Sequence, residues 1–434
     1  MTAPVHDVQG NILRGYTLGH AAHLFVAVAP GAGAAARCLL RDVTPRITTA
    51  APWPRGHRPS ATLNVALTYP GLAAVARAPE WLEAFPPEFE AGMEARAESV
   101  LGDRGPSAPS EWEEGLRDGE AHILLTLYAP RPGERDRAAA ALADEIAGRN
   151  GLTVVLNQAT DARADAGEHF GFRDGFSQPA VEGSGRSPRG EGVRDRLGWR
   201  PVRLGEFVLG HLDEDGIVYG DRPEVLRNGT FMVWRKLAQD TRRWAEWLLE
   251  TAGGDQEAAE RLGAQIVGRR RDGSSLMRPP LGATGPTDPD NDFVYRDDPH
   301  GLRCPLGAHV RRANPRDALG WSTERTKRHR IIRRGMAYGA GTGDGDRGLV
   351  FVCLNASIAR QFEFVQHVWL GDGAAFGLGD DRDFLLGEDD ADAKMTIQGS
   401  PPRFITPGRR FVTTRGGHYL FVPGLGALRL LAAG

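Results

Sequence analysis

The sequence predicts an α+β protein made of two ferredoxin-like domains, antiparallel sheets flanked by helices. Three observations lead there. The N-terminal half runs strand, helix, strand and then strand, helix, strand, the split βαβ order. The C-terminal half repeats that order. Between them, residues 182–198 are rich in glycine, arginine, serine and proline, the composition of a connection. At 434 residues the chain also exceeds what one hydrophobic core ordinarily serves. Domains 1–190 and 191–434 are therefore expected.

The apolar run 23–29 reads as the first strand and the alanine-rich 32–40 as a short helix. Leu63, Val65, Leu67 and Tyr69 alternate at period two, which predicts a strand. A helical insertion over 71–101 is expected next, then a strand at 122–128, a helix at 134–147 closed by Gly148, and a strand at 153–156. In the second half, 206–209 and 230–234 read as strands leading into a helix that carries Leu237, Trp244 and Leu248. Strands are expected at 330–338 and 348–353. The following helix places Ile358, Phe362, Val365 and Trp369 at spacings of four, three and four, an apolar stripe. Strands at 411–413 and 418–422 close the chain, and 269–299, dense in Gly, Pro and Asp, reads as a long loop.

Hydrophobic content of 41% and charged content of 25% fit a globular protein. A net charge of −3 argues against nucleic acid as the main partner. The basic residues are nearly all arginine, with lysine only at Lys236, Lys327 and Lys394, so bidentate donors for carboxylates are plentiful. Cys38, Cys304 and Cys353 form neither a zinc spacing nor a Cys-x-x-Cys-His haem attachment, and three cysteines make a poor disulfide framework. With no basic-then-apolar leader and no apolar run of about 20 residues, a cytoplasmic protein is expected, or a secreted one if a leader has been removed.

Three segments carry chemistry. Glu168-His169-Phe170-Gly171-Phe172-Arg173-Asp174-Gly175-Phe176-Ser177-Gln178-Pro179 mounts one acid between glycines and aromatics. A carboxylate in a tight, partly apolar loop can be tuned as an acid/base catalyst, although Asp-Gly is also a common turn. The segment 304–316 sets His309 between two prolines and close to Arg311, Arg312 and Arg316. An imidazole can ligate iron while guanidiniums neutralise haem propionates. Cys304, beside Pro305, is a rival ligand if deprotonated. In 330–339, period two puts Ile331 and Arg333 on one face, and an arginine among apolar side chains calls for an anion.

Taken together, the opening Asp7-Val8-Gln9-Gly10-Asn11-Ile12-Leu13, the Gly171–Gly175 loop, the 304–316 segment and the 331–339 strand resemble the dye-decolourising peroxidase family over nearly the full length. The resemblance implies one haem b per chain, held between sheet and helices mainly in the C-terminal domain, with His309 as axial iron ligand. Asp174 and Arg333 are implied on the peroxide side, the first as acid/base and the second stabilising O–O heterolysis toward a ferryl porphyrin. Haem contacts are implied at Gly175, Phe176, Ser177, Arg311, Asn314, Pro315, Arg316 and Arg333, with Leu349 and Phe351 shaping the peroxide pocket. Asp383 is the implied partner of the free His309 N–H, ahead of Glu363.

Tyr338 and Trp369 align with positions given a surface electron-relay role, but Trp369 continues the apolar stripe and Tyr338 ends a strand, so core packing is the favoured expectation for both. The partners implied are hydrogen peroxide and aromatic reductants such as dyes or phenols. A haem carrier, sensor or deferrochelatase-like iron-handling protein is the alternative, with Asp174 and Arg333 merely pairing. A non-haem metal module has no His-Glu-x-x-His or cysteine cluster to support it.

Overall fold

The computed structural model describes residues 3–433 except 55, 57, 164, 166, 196, 282–290, 320–322, 340–344, 388–393 and 409. The middle of the 269–299 loop thus lies outside the described residues. The first half comprises β1 (His20–Val28), α1 (Gly33–Val43), β2 (Thr62–Leu67), β3 (Ile123–Ala129), α2 (Pro132–Ala147) and β4 (Leu152–Asp161). The second comprises β5 (Thr230–Gln239), α3 (Thr241–Thr251), α4 (Gln256–Val267), α5 (His309–Ala313), β6 (Ile332–Arg333), β7 (Met336–Tyr338), β8 (Gly348–Asn355), a helical run over Ala359–Glu363 and Val365–Leu370, β9 (Val412–Val422) and α6 (Leu425–Ala432).

All these strands join one antiparallel sheet in the order β4-β1-β3-β2-β9-β5-β8-β6, with β7 also on β8. Each half uses the same order, fourth strand, first, third, second, so the ferredoxin-like arrangement occurs twice. The halves meet edge to edge where Phe421 of β9 pairs with Leu67 of β2. Every residue of β2 and β3 is buried, so this sheet is covered on both faces.

The seam is stapled by the N-terminal segment. Gln9 is fully buried; its Oε1 accepts from Val65 N at 3.0 Å, and its Nε2 donates to Val65 O at 2.8 Å and to Pro423 O at 3.0 Å. One side chain thereby ties β2 to the end of β9, satisfying backbone groups that burial would otherwise leave costly. Asp7 adds contacts to Asn228 Nδ2 and Gly426 N, each 2.8 Å.

Several expectations are corrected. Residues 206–209 are not a strand: Leu204–Glu206 is a 3-10 turn, because Glu206 turns inward to Arg360 while Phe207 and Val208 fill the core. The 71–101 insertion is helical as expected, in short pieces, Tyr69–Val75 and Pro87–Ala91 among them, since Pro79, Pro86 and Pro87 cannot sit in a helix interior. Leu237 belongs to β5 rather than to α3. The expected 330–338 strand divides into β6 and β7: Arg334 N still donates to Val352 O at 2.7 Å while its side chain turns to Asn11 O and Ile12 O, and the ladder breaks at Gly335, where a Cβ would lie 2.5 Å from Val350 O. The last two expected strands are one, β9, with a register shift between Thr414 and Gly416. Among the described residues, no helix is long and apolar enough to cross a membrane.

Candidate active site

Between the second half-sheet and its helices lies a cavity of about 280 Å³ that opens to solvent. The sheet presents alternate positions to it. Leu349 and Phe351 of β8 sit opposite Leu237 and Arg235 of β5, and all four line the cavity. Val350 and Val352, one residue out of phase, pack into the core on the other face. The opposite wall comes from α5 and from Phe362, Val365 and Leu370 of the helical run.

The Asp174 loop is built around a different acid, Glu168. Its carboxylate accepts from Phe170 N at 2.8 Å, Phe172 N at 3.0 Å and Gln239 Nε2 at 2.6 Å. That fastens the loop to β5 and turns Phe170, Phe172, Asp174 and Phe176 into the cavity wall. Gly171 has φ +90°, and a Cβ there would meet Arg271 Nη1 at 2.1 Å, so glycine is required. Asp174 Oδ1 accepts from Arg333 Nη1 at 2.9 Å, while Arg333 N donates to Gln178 Oε1 at 2.9 Å and Nη2 to Ser177 O at 3.3 Å. Burial alone would raise the Asp174 pKa. The Arg333 charge and the Gly175 N–H outweigh it, and the carboxyl sits below its ordinary value.

His309 opens α5 and faces the same cavity. Its Nδ1 lies 3.0 Å from Asp383 Oδ2, and Asp383 is itself fixed, its Oδ1 accepting from Leu385 N at 3.1 Å and Leu386 N at 2.8 Å. With Nδ1–H donated to a carboxylate, Nε2 keeps its lone pair for a metal. Burial opposes protonation of His309, but the Asp383 charge outweighs it and its pKa is raised. Glu363 is occupied elsewhere, paired with Arg96 at 2.5 Å and accepting from Tyr419 at 2.9 Å.

The structure thus brings Asp174, Phe176, Ser177, His309, Asn314, Arg316, Arg333, Leu349 and Phe351 around one cavity, with Asp383 directly behind His309. Gly175, Pro315 and Arg311 are not in its wall. Arg311 turns the other way: fully buried, it donates to Asp298 Oδ2 at 3.1 Å, Asp298 O at 2.9 Å and Cys304 O at 2.7 Å. It braces the chain before α5, outside the cavity wall. Cys304 is also outside the wall, which removes it as a thiolate ligand there, and burial pushes its thiol up to about 12. Neither expected relay ring is at the surface. Tyr338 is 3% exposed and Trp369 1%, with Trp369 edge-on to Phe364 and His329.

Sequence reasoning missed Glu168, Arg269 and Arg330. Arg330 lies before β6, outside its period-two alternation, and so shares the cavity wall with Arg333.

These atoms allow a test of whether haem fits. The walls are apolar, from Phe172, Leu237, Val267, Leu349, Phe351 and Phe362, and one imidazole nitrogen is free to ligate. Arg269, Arg316 and Arg330 line the cavity as well. Arg330 pairs with Glu191 at 3.0 Å through Nη2, but among the described residues its buried Nη1 has no partner, and the same holds for Asn314 Oδ1. An apolar slot with one metal-binding nitrogen and a cationic group lacking an acceptor suits a flat, carboxylate-bearing iron cofactor. Haem fits the donor set.

Comparison with known proteins gives the same direction. The family model described as Dyp-type peroxidase, C-terminal, matches residues 211–376. Dye-decolorizing peroxidase msp1 of Mycetinis scorodonius is 30% identical over 460 residues, spanning 98% of this chain and 86% of that protein. Multifunctional dye peroxidase DyP2 of Amycolatopsis sp. is 30% identical over 391 residues, 80% of this chain and 77% of that one. Among solved structures, a dye-decolorizing peroxidase in complex with 2,6-dimethoxyphenol superimposes with a TM-score of 0.82 at 27% identity, covering 99% of this chain and 100% of that one.

Proposed function

The chain belongs to the dye-decolourising peroxidase family, and from that premise we propose that Asp174 and Arg333 are its peroxide-cleaving pair and His309 the ligand of one haem b. The protein is a haem peroxidase, an oxidoreductase that uses hydrogen peroxide and reducing substrates, dyes among them. The observation that carries the residue assignment is the cavity itself: Asp174, Arg333 and His309 come from three distant segments and face one space.

Haem, which His309 would hold, would supply the redox-active iron that peroxide reduction needs. Everything else falls to the chain. His309, its tautomer set by Asp383, offers Nε2 to the iron, and the negative partner raises its basicity. Asp174, ionised because Arg333 faces it, takes a proton from hydrogen peroxide and returns it to the departing oxygen. Arg333, held by Gln178, Ser177 and Asp174, keeps a fixed positive charge where the departing oxygen becomes negative. Leu349 and Phe351 keep the pocket walls apolar, so those charges interact at low dielectric.

The carrier alternative has little to recommend it, since a haem carrier needs no acid and arginine pair aimed at an open space. Loading the protein with haem and following 2,6-dimethoxyphenol oxidation tests the reading. Turnover that depends on hydrogen peroxide is expected; a stable haem complex with no peroxide-dependent turnover would favour the carrier.

A further inference from the structure

Beside the cationic part of the cavity wall, three segments bring four buried charged residues together, and one of them, Lys327, has no role in the reading above. Arg316 and Arg330 line the cavity, whereas Lys327 and Glu191 lie outside its wall. The group is rigidly built. Arg316 Nη1 donates to Gly190 O at 3.1 Å, Asn291 O at 2.8 Å and Phe293 O at 3.0 Å, and its backbone is held at φ +53°, in the left-handed region. Thr326 Oγ1 donates to Arg316 O at 2.8 Å, and Arg330 N to Lys327 O at 3.1 Å.

The charges of this cluster do not balance. Lys327, 1% exposed, faces two guanidiniums, Arg330 and Arg316, and one carboxylate, Glu191. Glu191 is already committed to Arg330 Nη2, through Oε2 at 3.0 Å. Among the described residues, Lys327 Nζ and Arg330 Nη1 are buried without an acceptor, and Glu191 Oε1 is buried without a donor. A buried ammonium with no acceptor and two cationic neighbours is costly, and an amine escapes that cost by releasing its proton. Burial, Arg330 and Arg316 hold the Lys327 pKa well below its ordinary 10.5, with Glu191 opposing them. A guanidinium has no such escape, so Arg330 still calls for an anion at Nη1.

We propose that this cluster receives a carboxylate of haem and that Lys327 takes up one proton when it does. The proposal rests on the haem reading above. A carboxylate that neutralises Arg330 adds a second negative charge beside Lys327, and the ammonium form is then favoured. One proton passes from solvent to the Nζ lone pair; nothing is oxidised or reduced. Haem and the proton strengthen each other's binding by linkage. With the carboxylate in place the Lys327 pKa is the higher of the two, so the added affinity is fully present below the haem-free pKa. It is lost as pH rises through the haem-bound pKa.

The test follows transfer of haem from the loaded full chain to apomyoglobin at equilibrium between pH 6 and 10. It compares the parent with Lys327→Met, which keeps an unbranched side chain and removes a buried amine. The ratio of the two partition constants cancels the pH dependence of apomyoglobin and of His309. That ratio is expected to change by up to about tenfold per pH unit within this range, the parent holding haem more tightly in acid and the two proteins converging at the alkaline end. Lys327→Gln, which also lacks a titrating group, is expected to behave as Lys327→Met does. A ratio that stays constant with pH, whether at unity or offset from it, assigns Lys327 at most a packing role; it overturns the proton uptake and leaves the haem reading standing. A parent that takes up no haem, with no Soret band, overturns both.

Discussion

Asp174 Oδ1 accepts a hydrogen bond from Arg333 Nη1 at 2.9 Å across 159 residues of sequence, so the acid and its counter-charge come from different halves of the molecule. The contact sets the pH at which the acid can work. Asp174 is the base only while ionised, and that form is lost as pH falls through its pKa, which lies below the ordinary 3.8. The reaction with peroxide should therefore persist into acid. In Arg333→Leu the main lowering influence is gone, and the acid limb of the kcat/KM profile for peroxide should move to higher pH. The rate at the optimum should fall by about 100-fold to 1000-fold, the usual effect of removing one preorganised charge donor. A limb at unchanged pH would mean that Arg333 does not tune Asp174.

Asp383 holds His309 from behind at 3.0 Å. Asp383→Asn keeps the shape but removes the negative charge, and should weaken haem retention about 10-fold to 100-fold, the range for such supporting partners. Haem loss to an excess of a competing apoprotein measures it. His309→Ala in the same assay gives the value for an absent ligand, against which a partial loss can be recognised.

Gln9 joins the two half-sheets through Val65 and Pro423. Gln9→Ala strands a buried backbone N–H and two carbonyls, and should cost about 3 kcal/mol given about 1–3 kcal/mol per unsatisfied buried group. Chemical denaturation of the apoprotein should show the loss, with the midpoint moving and the slope unchanged.

Glu206 gives a stability signature away from the cavity. Burial raises its pKa from 4.5 to about 7 against the opposing pull of Arg360, with Asp213 and Glu214 adding to the rise. The folded state thus holds a proton that the unfolded chain releases at lower pH. The stabilisation is complete below the unfolded pKa and disappears as pH climbs to about 7, roughly 3 kcal/mol across that window by linkage. Tm should decline over this range in the parent and be flatter in Glu206→Gln, which carries no charge at any pH. An identical slope in both proteins would assign the pH dependence to other groups.

Much of this was legible in sequence, for identifiable reasons. Period two in Leu63, Val65 and Leu67 reports β2, and the stripe from Ile358 to Trp369 reports a helix buried on one side, because one-sided burial leaves a periodic trace. Spacing within each segment also marked Asp174, His309 and Arg333, although only the family resemblance joined the three. The errors arose where tertiary contacts decide. Phe207-Val208-Leu209 looks like a strand because a short apolar run has no distinguishing period. Arg311 in α5 and Arg316 just beyond it are the same residue type, and only the position of Asp298 shows that the first points away. Glu168 was overlooked as a neighbour of the motif, although its carboxylate is what shapes the loop.

The central claim is that Asp174 moves the proton in peroxide cleavage. It is tested most directly by mixing haem-loaded parent and Asp174→Asn with hydrogen peroxide in a stopped-flow spectrometer and timing the loss of the resting Soret band. The account predicts that the variant binds haem as the parent does and reacts about 100-fold to 10,000-fold more slowly, the range for a lost acid/base group. Equal rates in the two proteins would contradict it.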